Sequence, residues 1–129
     1  MADDTAANRE LVALMLSQAG GLTVDTVENG HEALLAVRAG HYDLVLMDMQ
    51  MPVMDGLAAT RAIRAETGPW AATPIIALTA SVGTPQIEET RRAGMDGHVG
   101  KPIQIAELLS CIRRVTSTVE TEQRQEAAG

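Results

Sequence analysis

Asp3, Asp4, Asp48, Thr79 and Lys101 are the residues whose types and positions could combine into one chemistry. Asp3 and Asp4 stand side by side in the opening MADDTAANRE, before any periodic segment. Asp48 closes the apolar run DLVLMD, Thr79 falls near the end of TPIIALTA, and Lys101 follows the short run GHVG. Carboxylates gathered at one place repel one another, and burying them unpaired is prohibitive. A hard divalent cation removes that penalty. Mg²⁺ suits the donor set best, because it takes carboxylate, carbonyl and water oxygens and keeps positions open for a phosphate. In such a site one carboxylate can attack phosphorus to give an acyl phosphate, with the metal, the lysine and nearby donors neutralising charge.

The elements that must position these residues alternate in type. Thr5 to Ala19 carries Leu11, Val12, Leu14, Met15, Leu16 and Ala19 at helical spacing, with Asp4 or Thr5 as N-cap and Gly20-Gly21 as stop. LTVDTVENG alternates apolar and polar residues and reads as a short strand ended by Asn29-Gly30. HEALLAVRAG is a short helix stopped by Gly40. Asp43 to Asp48 is a nearly unbroken apolar run, the pattern of a parallel strand covered on both faces, and Thr73 to Ala80 is a second. MPVMDG is a turn that leads into the helix GLAATRAIRAET. A helix over Thr84 to Ala93, a strand over Gly97 to Gly100 and a last helix from about Gln104 to Thr118 follow. The class is α/β, with a parallel sheet and helices on both faces. Such sheets place ligands at the carboxyl ends of their strands, which is where Asp48, Thr79 and Lys101 fall.

Bulk properties exclude several functions. With 129 residues the chain makes one domain with a real core. Its 46% hydrophobic and 21% charged residues fit a soluble globular fold rather than a disordered one. Trp70 and Tyr42 are its only aromatics, so Leu, Val, Ile, Ala and Met build the core. A net charge of −7 argues against a nucleic-acid surface. The single cysteine, Cys111, excludes an intrachain disulfide and reads as a buried, inert thiol. No membrane span or signal peptide is evident, and a cytoplasmic location is expected.

The segments LVLMDMQMPVMDG, PIIALTA, GMDGHVGKP and ADDTAANRE, in this order and spacing, resemble the receiver (response-regulator, CheY-like) domain of two-component signalling. The resemblance runs from Ala2 to about Val115, and the D-x-Q-M-P-x-M-D-G variety is most similar to receivers of hybrid histidine kinases. It implies a doubly wound, flavodoxin-like parallel sheet, with residues 1–118 as the receiver and 119–129 as a polar tail or linker. It makes Asp48 the phosphoacceptor. Asp4 is implied as a direct Mg²⁺ ligand, Asp3 as a ligand mainly through water, and the Gln50 backbone carbonyl as the third protein ligand. Lys101 is implied to pair with the phosphoryl oxygens, ahead of a cis peptide to Pro102. Thr79 is implied to bond the phosphoryl group and, with His98 at the aromatic switch position, to relay the change. Ala80 leaves room for the phosphoryl group. Asn8 and Arg9 match a signature on the first helix and tune access to the site.

The function implied is a phosphoryl-accepting module of a phosphorelay, not an enzyme, that takes the group from a histidine kinase or a histidine phosphotransfer protein. A pseudo-receiver that acts only as an interaction module is the alternative. An aspartyl phosphohydrolase is disfavoured, because Gln50 stands where that chemistry needs a second acid. Other residues take plainer roles. Asp55 is a turn or helix cap, and Met47 belongs to the core. Met49, Met51 and Met54 pack around the loop. His31 and His41 are solvated, Trp70 lies in a loop, and Arg61, Arg64, Arg91, Arg92, Arg113 and Arg114 line exposed helix faces.

Receivers begin with an apolar strand that runs into the acidic pair, and here only Met1 and Ala2 precede Asp3. In the order 2-1-3-4-5 that strand is central, so its shortening leaves backbone groups to be paired. A rearranged N-terminus, closure of the gap by the remaining strands, and self-association with strand exchange between copies are the expected ways out.

Overall fold

The computed structural model describes the chain except residues 21–22, 41, 50, 52, 80–83 and 129, and except the side chains of 19–20, 69, 84–86 and 117–128. Its elements follow in the order α1 (Ala6–Gly20), α2 (Gly30–Ala39), β1 (Val45–Asp48), α3 (Gly56–Ala65), a 3₁₀ turn (Pro69–Ala72), β2 (Ile75–Thr79), α4 (Thr84–Ala93), β3 (Gly97–Gly100) and α5 (Ile105–Ala128). The three strands form a parallel sheet in the order β1-β2-β3. Asp48 is in register with Leu78, and Thr79 with Gly100.

Strand periodicity sorts the core into two layers. Val45, Met47, Ile75 and Ala77 pack with Ala33, Val37, Ala59 and Ile63 of α2 and α3. Leu46, Ile76, Leu78 and Val99 pack with Val12 and Leu16 of α1 and Leu108, Ile112 and Val115 of α5. Every β1 and β2 residue is buried, as the unbroken apolar runs predict. Cys111 and Met47 are buried too, as read from the sequence.

Residues 1–3, a short stub of strand, occupy the place expected of the first strand. Ala2 forms parallel bridges to Val27 on one side and to Met47 on the other. Ala2 N–H donates to Leu46 O (2.8 Å) and Asp48 N–H to Ala2 O (2.9 Å), while Asp3 N–H donates to Val27 O (3.2 Å). The stub therefore lies between the Val27 segment and β1, which gives the order 2-1-3-4-5 without direct pairing across the gap. Among the described residues of LTVDTVENG, Val27 alone bridges, so the expected strand there is an isolated bridge. Alongside the stub a cavity of about 430 Å³ opens, lined by Met1, Leu16, Val24, Leu44, Leu46 and Ile112 among others. Burial holds the Met1 α-amino group below its ordinary pKa, with the charge of Asp25 acting in the opposite direction.

Caps fix the helices that flank the site. Asn29 Oδ1 accepts Glu32 N–H (2.9 Å), and Glu32 Oε1 reaches back to Glu28 N–H (2.8 Å). Asp55 caps α3 by accepting Ala58 N–H (2.8 Å), as its spacing predicts. Gly56 must lack a side chain, since a Cβ there would lie 2.3 Å from Asp48 O. Trp70 sits in the 3₁₀ turn rather than in an open loop, because Pro69 starts a single tight turn there. Arg64 also departs from its expected exposed place. It donates to Gly94 O (2.9 Å) and Ala71 O (2.6 Å) and pairs with Asp96 (2.9 Å), so it ties α3 to the 3₁₀ turn and to the loop between α4 and β3. Burial lowers its pKa, against the pull of Asp96. The backbone of α5 continues to Ala128, beyond the predicted end near Thr118.

Candidate metal and phosphoryl site

The sheet's carboxyl edge brings the predicted residues together. β1 ends at Asp48, β2 at Thr79, and β3 leads directly to Lys101. The stub runs beside β1 and delivers Asp3 and Asp4 to the same edge. Carboxylate oxygens from Asp3, Asp4 and Asp48 all lie within 4.8 Å of one another. Asp3 and Asp48 are buried and Asp4 is exposed. Lys101 is the only lysine of the chain. Its Nζ lies 3.0 Å from Asp48 Oδ1 and 3.7 Å from Asp3 Oδ2.

The backbone fixes these positions closely. Lys101 N–H donates to Thr79 O (2.8 Å), which extends the β2–β3 ladder and aims the ammonium at β1. The Lys101–Pro102 peptide is cis, as expected. Thr79 is buried one residue past Leu78, the register partner of Asp48. After Asp48, Met49 N–H donates to Leu78 O (3.0 Å), and Gly56 N–H closes the following loop on Met49 O (3.4 Å). Within that loop Val53 adopts φ 68°, a conformation that strains a β-branched residue. Gly30 N–H holds the loop from outside through Met54 O (2.9 Å). The carbonyl expected of Gln50 and the small residue Ala80 lie outside the described residues, as does His41. His98 is half-buried in mid-β3, in register with Ala77.

The donor set suits a hard cation. Three carboxylates face one ammonium, so the cluster carries an excess of negative charge, two members of it being buried. All its acceptors are oxygen, which favours Mg²⁺ over softer metals. Asp3 also accepts Thr5 N–H at Oδ1 (2.8 Å) and Asn8 Nδ2 at Oδ2 (3.4 Å). These bonds occupy its oxygens and leave Asp4 as the freer of the adjacent pair. Arg9 Nη1 donates to the Asp3 carbonyl (2.8 Å) and Nη2 faces Glu28 (3.6 Å). Asn8 and Arg9 thus contact Asp3 directly. Their place five and six residues after Asp3, across the start of α1, was the signal available in the sequence.

Comparison with known proteins places this geometry in context. The family model described as response regulator receiver domain matches residues 1–113. Histidine kinase 5 of Arabidopsis thaliana is 36% identical over 139 residues, covering 88% of this chain and 15% of that protein. The two-component response regulator ORR41 of Oryza sativa subsp. japonica is 42% identical over 106 residues, covering 80% of this chain and 81% of its own length. The chain therefore spans about a seventh of the kinase. Among solved structures, the receiver domain of the sensor histidine kinase PA1611 of Pseudomonas aeruginosa PAO1 superposes with a TM-score of 0.81 at 35% identity, covering 90% of this chain and 93% of that one. That structure has a magnesium ion coordinated in the active-site cleft.

Proposed function

The chain belongs to the response regulator receiver family, and we propose that Asp48 is its phosphoacceptor, taking a phosphoryl group from a phosphohistidine in a Mg²⁺-dependent step. The observation that carries this reading is Asp48 itself. It ends a buried strand, 3.0 Å from the only lysine and within 4.8 Å of two more carboxylates.

In the proposed transfer an Asp48 oxygen bonds to phosphorus as the phosphorus–nitrogen bond of the donor breaks, and the imidazole leaves with its electron pair. Asp4 and Asp48 would hold Mg²⁺ directly, Asp3 mainly through water and Gln50 through its carbonyl, and the ion would supply positive charge against the phosphoryl oxygens. Lys101 leaves its pairing with Asp48 to pair with those oxygens. Thr79 donates its hydroxyl to the same group, and its movement, with that of His98, carries the change to the surface of α4 and α5 as a population shift.

Residues 1–118 form the receiver in this reading and 119–129 a polar tail or linker, of which the backbone of 119–128 continues α5. The donor is a histidine kinase or phosphotransfer protein, and the chain acts as a signalling module rather than an enzyme. A second element of the proposal is strand exchange between copies, motivated by Val27 being the sole described residue of its segment that bridges the Ala2 strand. Light scattering across a concentration series tests that element, and an unchanging monomer mass removes it.

Incubation with acetyl phosphate and Mg²⁺, followed by intact mass, tests phosphorylation. One phosphoryl group should appear on wild type and none on Asp48→Ala. Absence from wild type, or equal labelling of the variant, would sink the proposal.

A further inference from the structure

We infer that Arg9 is a positioning residue for the Mg²⁺-binding acidic pair, a role that rests on the metal site proposed above. The acidic pair stands at the end of the backbone ladder that holds residues 1–3. Its last backbone bonds are Asp48 N–H to Ala2 O and Asp3 N–H to Val27 O. The Asp3 carbonyl lies beyond both, and Arg9 Nη1 donates to it at 2.8 Å. That carbonyl belongs to the peptide plane joining Asp3 to Asp4. Fixing its direction therefore fixes how the two carboxylates stand to each other and to Asp48.

Arg9 is itself held. Its N–H donates to Thr5 O (3.1 Å) in the first turn of α1, its side chain is only 16% exposed, and Nη2 faces Glu28 at 3.6 Å. Glu28 directly follows Val27, the residue that pairs with the stub, and its N–H is fixed by Glu32. The guanidinium therefore spans from the acidic pair to the edge segment next to it. Two separate nitrogens on one rigid plane make that span, which a lysine cannot reproduce.

Charge alone and positioning predict opposite outcomes. Arg9 is a cation beside an acidic cluster, so removing it should tighten Mg²⁺ binding if its effect is only electrostatic. If it orients the pair, removing it should weaken binding, as loss of a supporting contact around a metal site does by about 10- to 100-fold.

Isothermal titration of wild type, Arg9→Met and Arg9→Lys with MgCl₂ decides between them, with far-UV circular dichroism to verify the fold. The expected result is a Kd raised about tenfold or more in Arg9→Met, and raised less in Arg9→Lys, which keeps the charge but not the span. An unchanged or lower Kd in folded Arg9→Met overturns the inference. Should Arg9→Met not fold, Arg9→Lys decides: a Kd equal to wild type overturns the inference and a weaker one supports it. Wild type that binds no Mg²⁺ would instead remove the metal site itself.

Discussion

Lys101→Met should expose how much the acidic cluster depends on the ammonium paired with its carboxylates. The ammonium lies 3.0 Å from Asp48 and 3.7 Å from Asp3, whose side chains are 5% and 0% exposed. Removing one partner of a buried ion pair costs about 3–5 kcal/mol, because the other charge is left uncompensated. Lys101 is a quarter exposed, and water reaches the cluster from its side, so about 3 kcal/mol is expected. At about 4 °C per kcal/mol for a chain of this length, the melting temperature in EDTA should fall by roughly 12 °C.

Mg²⁺ should then close much of the gap. A variant without the ammonium has more uncompensated charge for the cation to relieve, and each tenfold by which its Kd falls below that of wild type gives it about 1.4 kcal/mol more stabilisation at the same saturating Mg²⁺. The assay is a pair of thermal melts by circular dichroism, in EDTA and in saturating Mg²⁺. A loss under about 3 °C in EDTA, or an equal loss with and without Mg²⁺, would refute the reasoning that Lys101 and the metal compensate the same carboxylates.

Two other perturbations probe the frame around the site. Gly56→Ala should cost about 1–3 kcal/mol in urea melts and also lower Mg²⁺ affinity, because its Cβ would meet Asp48 O at 2.3 Å and push the end of β1. Wild-type stability in that variant would show the contact to be relieved without cost. The hydroxyl of Tyr42, the only tyrosine, donates to Asp25 Oδ2 (2.7 Å). That bond first, then burial and the Asp25 charge, raises its pKa above the usual 10.0. A raised folded-state pKa means this bond's stabilisation is whole below pH 10 and is lost as pH rises through the folded value. The 295 nm absorbance titration should therefore have its midpoint above 10 in wild type and nearer 10 in Asp25→Asn, and identical midpoints would remove the assignment.

Much of the site was legible in the sequence because β-strand periodicity and strand-end chemistry are local. The runs DLVLMD and TPIIALTA carry apolar residues on both faces, so they had to be covered strands, and their terminal Asp48 and Thr79 had to fall on one edge. Asp55 announced its cap by residue type and spacing, and the bounds of α4 and β3 coincide with those read from the chain, whereas Asn29, read as the end of a strand, turns out to cap α2. Arg64 was misread because a helical arginine's charge suggests solvent. Only packing shows its guanidinium reaching Gly94 and Ala71.

The N-terminus marks the boundary between the two kinds of information. Sequence pointed to Asp3 and Asp4 standing with Asp48 and Lys101, since acids, a hydroxyl and an ammonium fall at the ends of its strand patterns. It could not establish what holds the pair, because the holding groups are backbone amides and carbonyls that every residue has. Tertiary structure decided that point. Met1, Ala2 and Asp3 wedge between Val27 and β1 and take their hydrogen bonds from both neighbours. Arg9, six residues on, secures the carbonyl that the ladder leaves over. Residue types set the chemistry of this site, and long-range backbone pairing set its geometry.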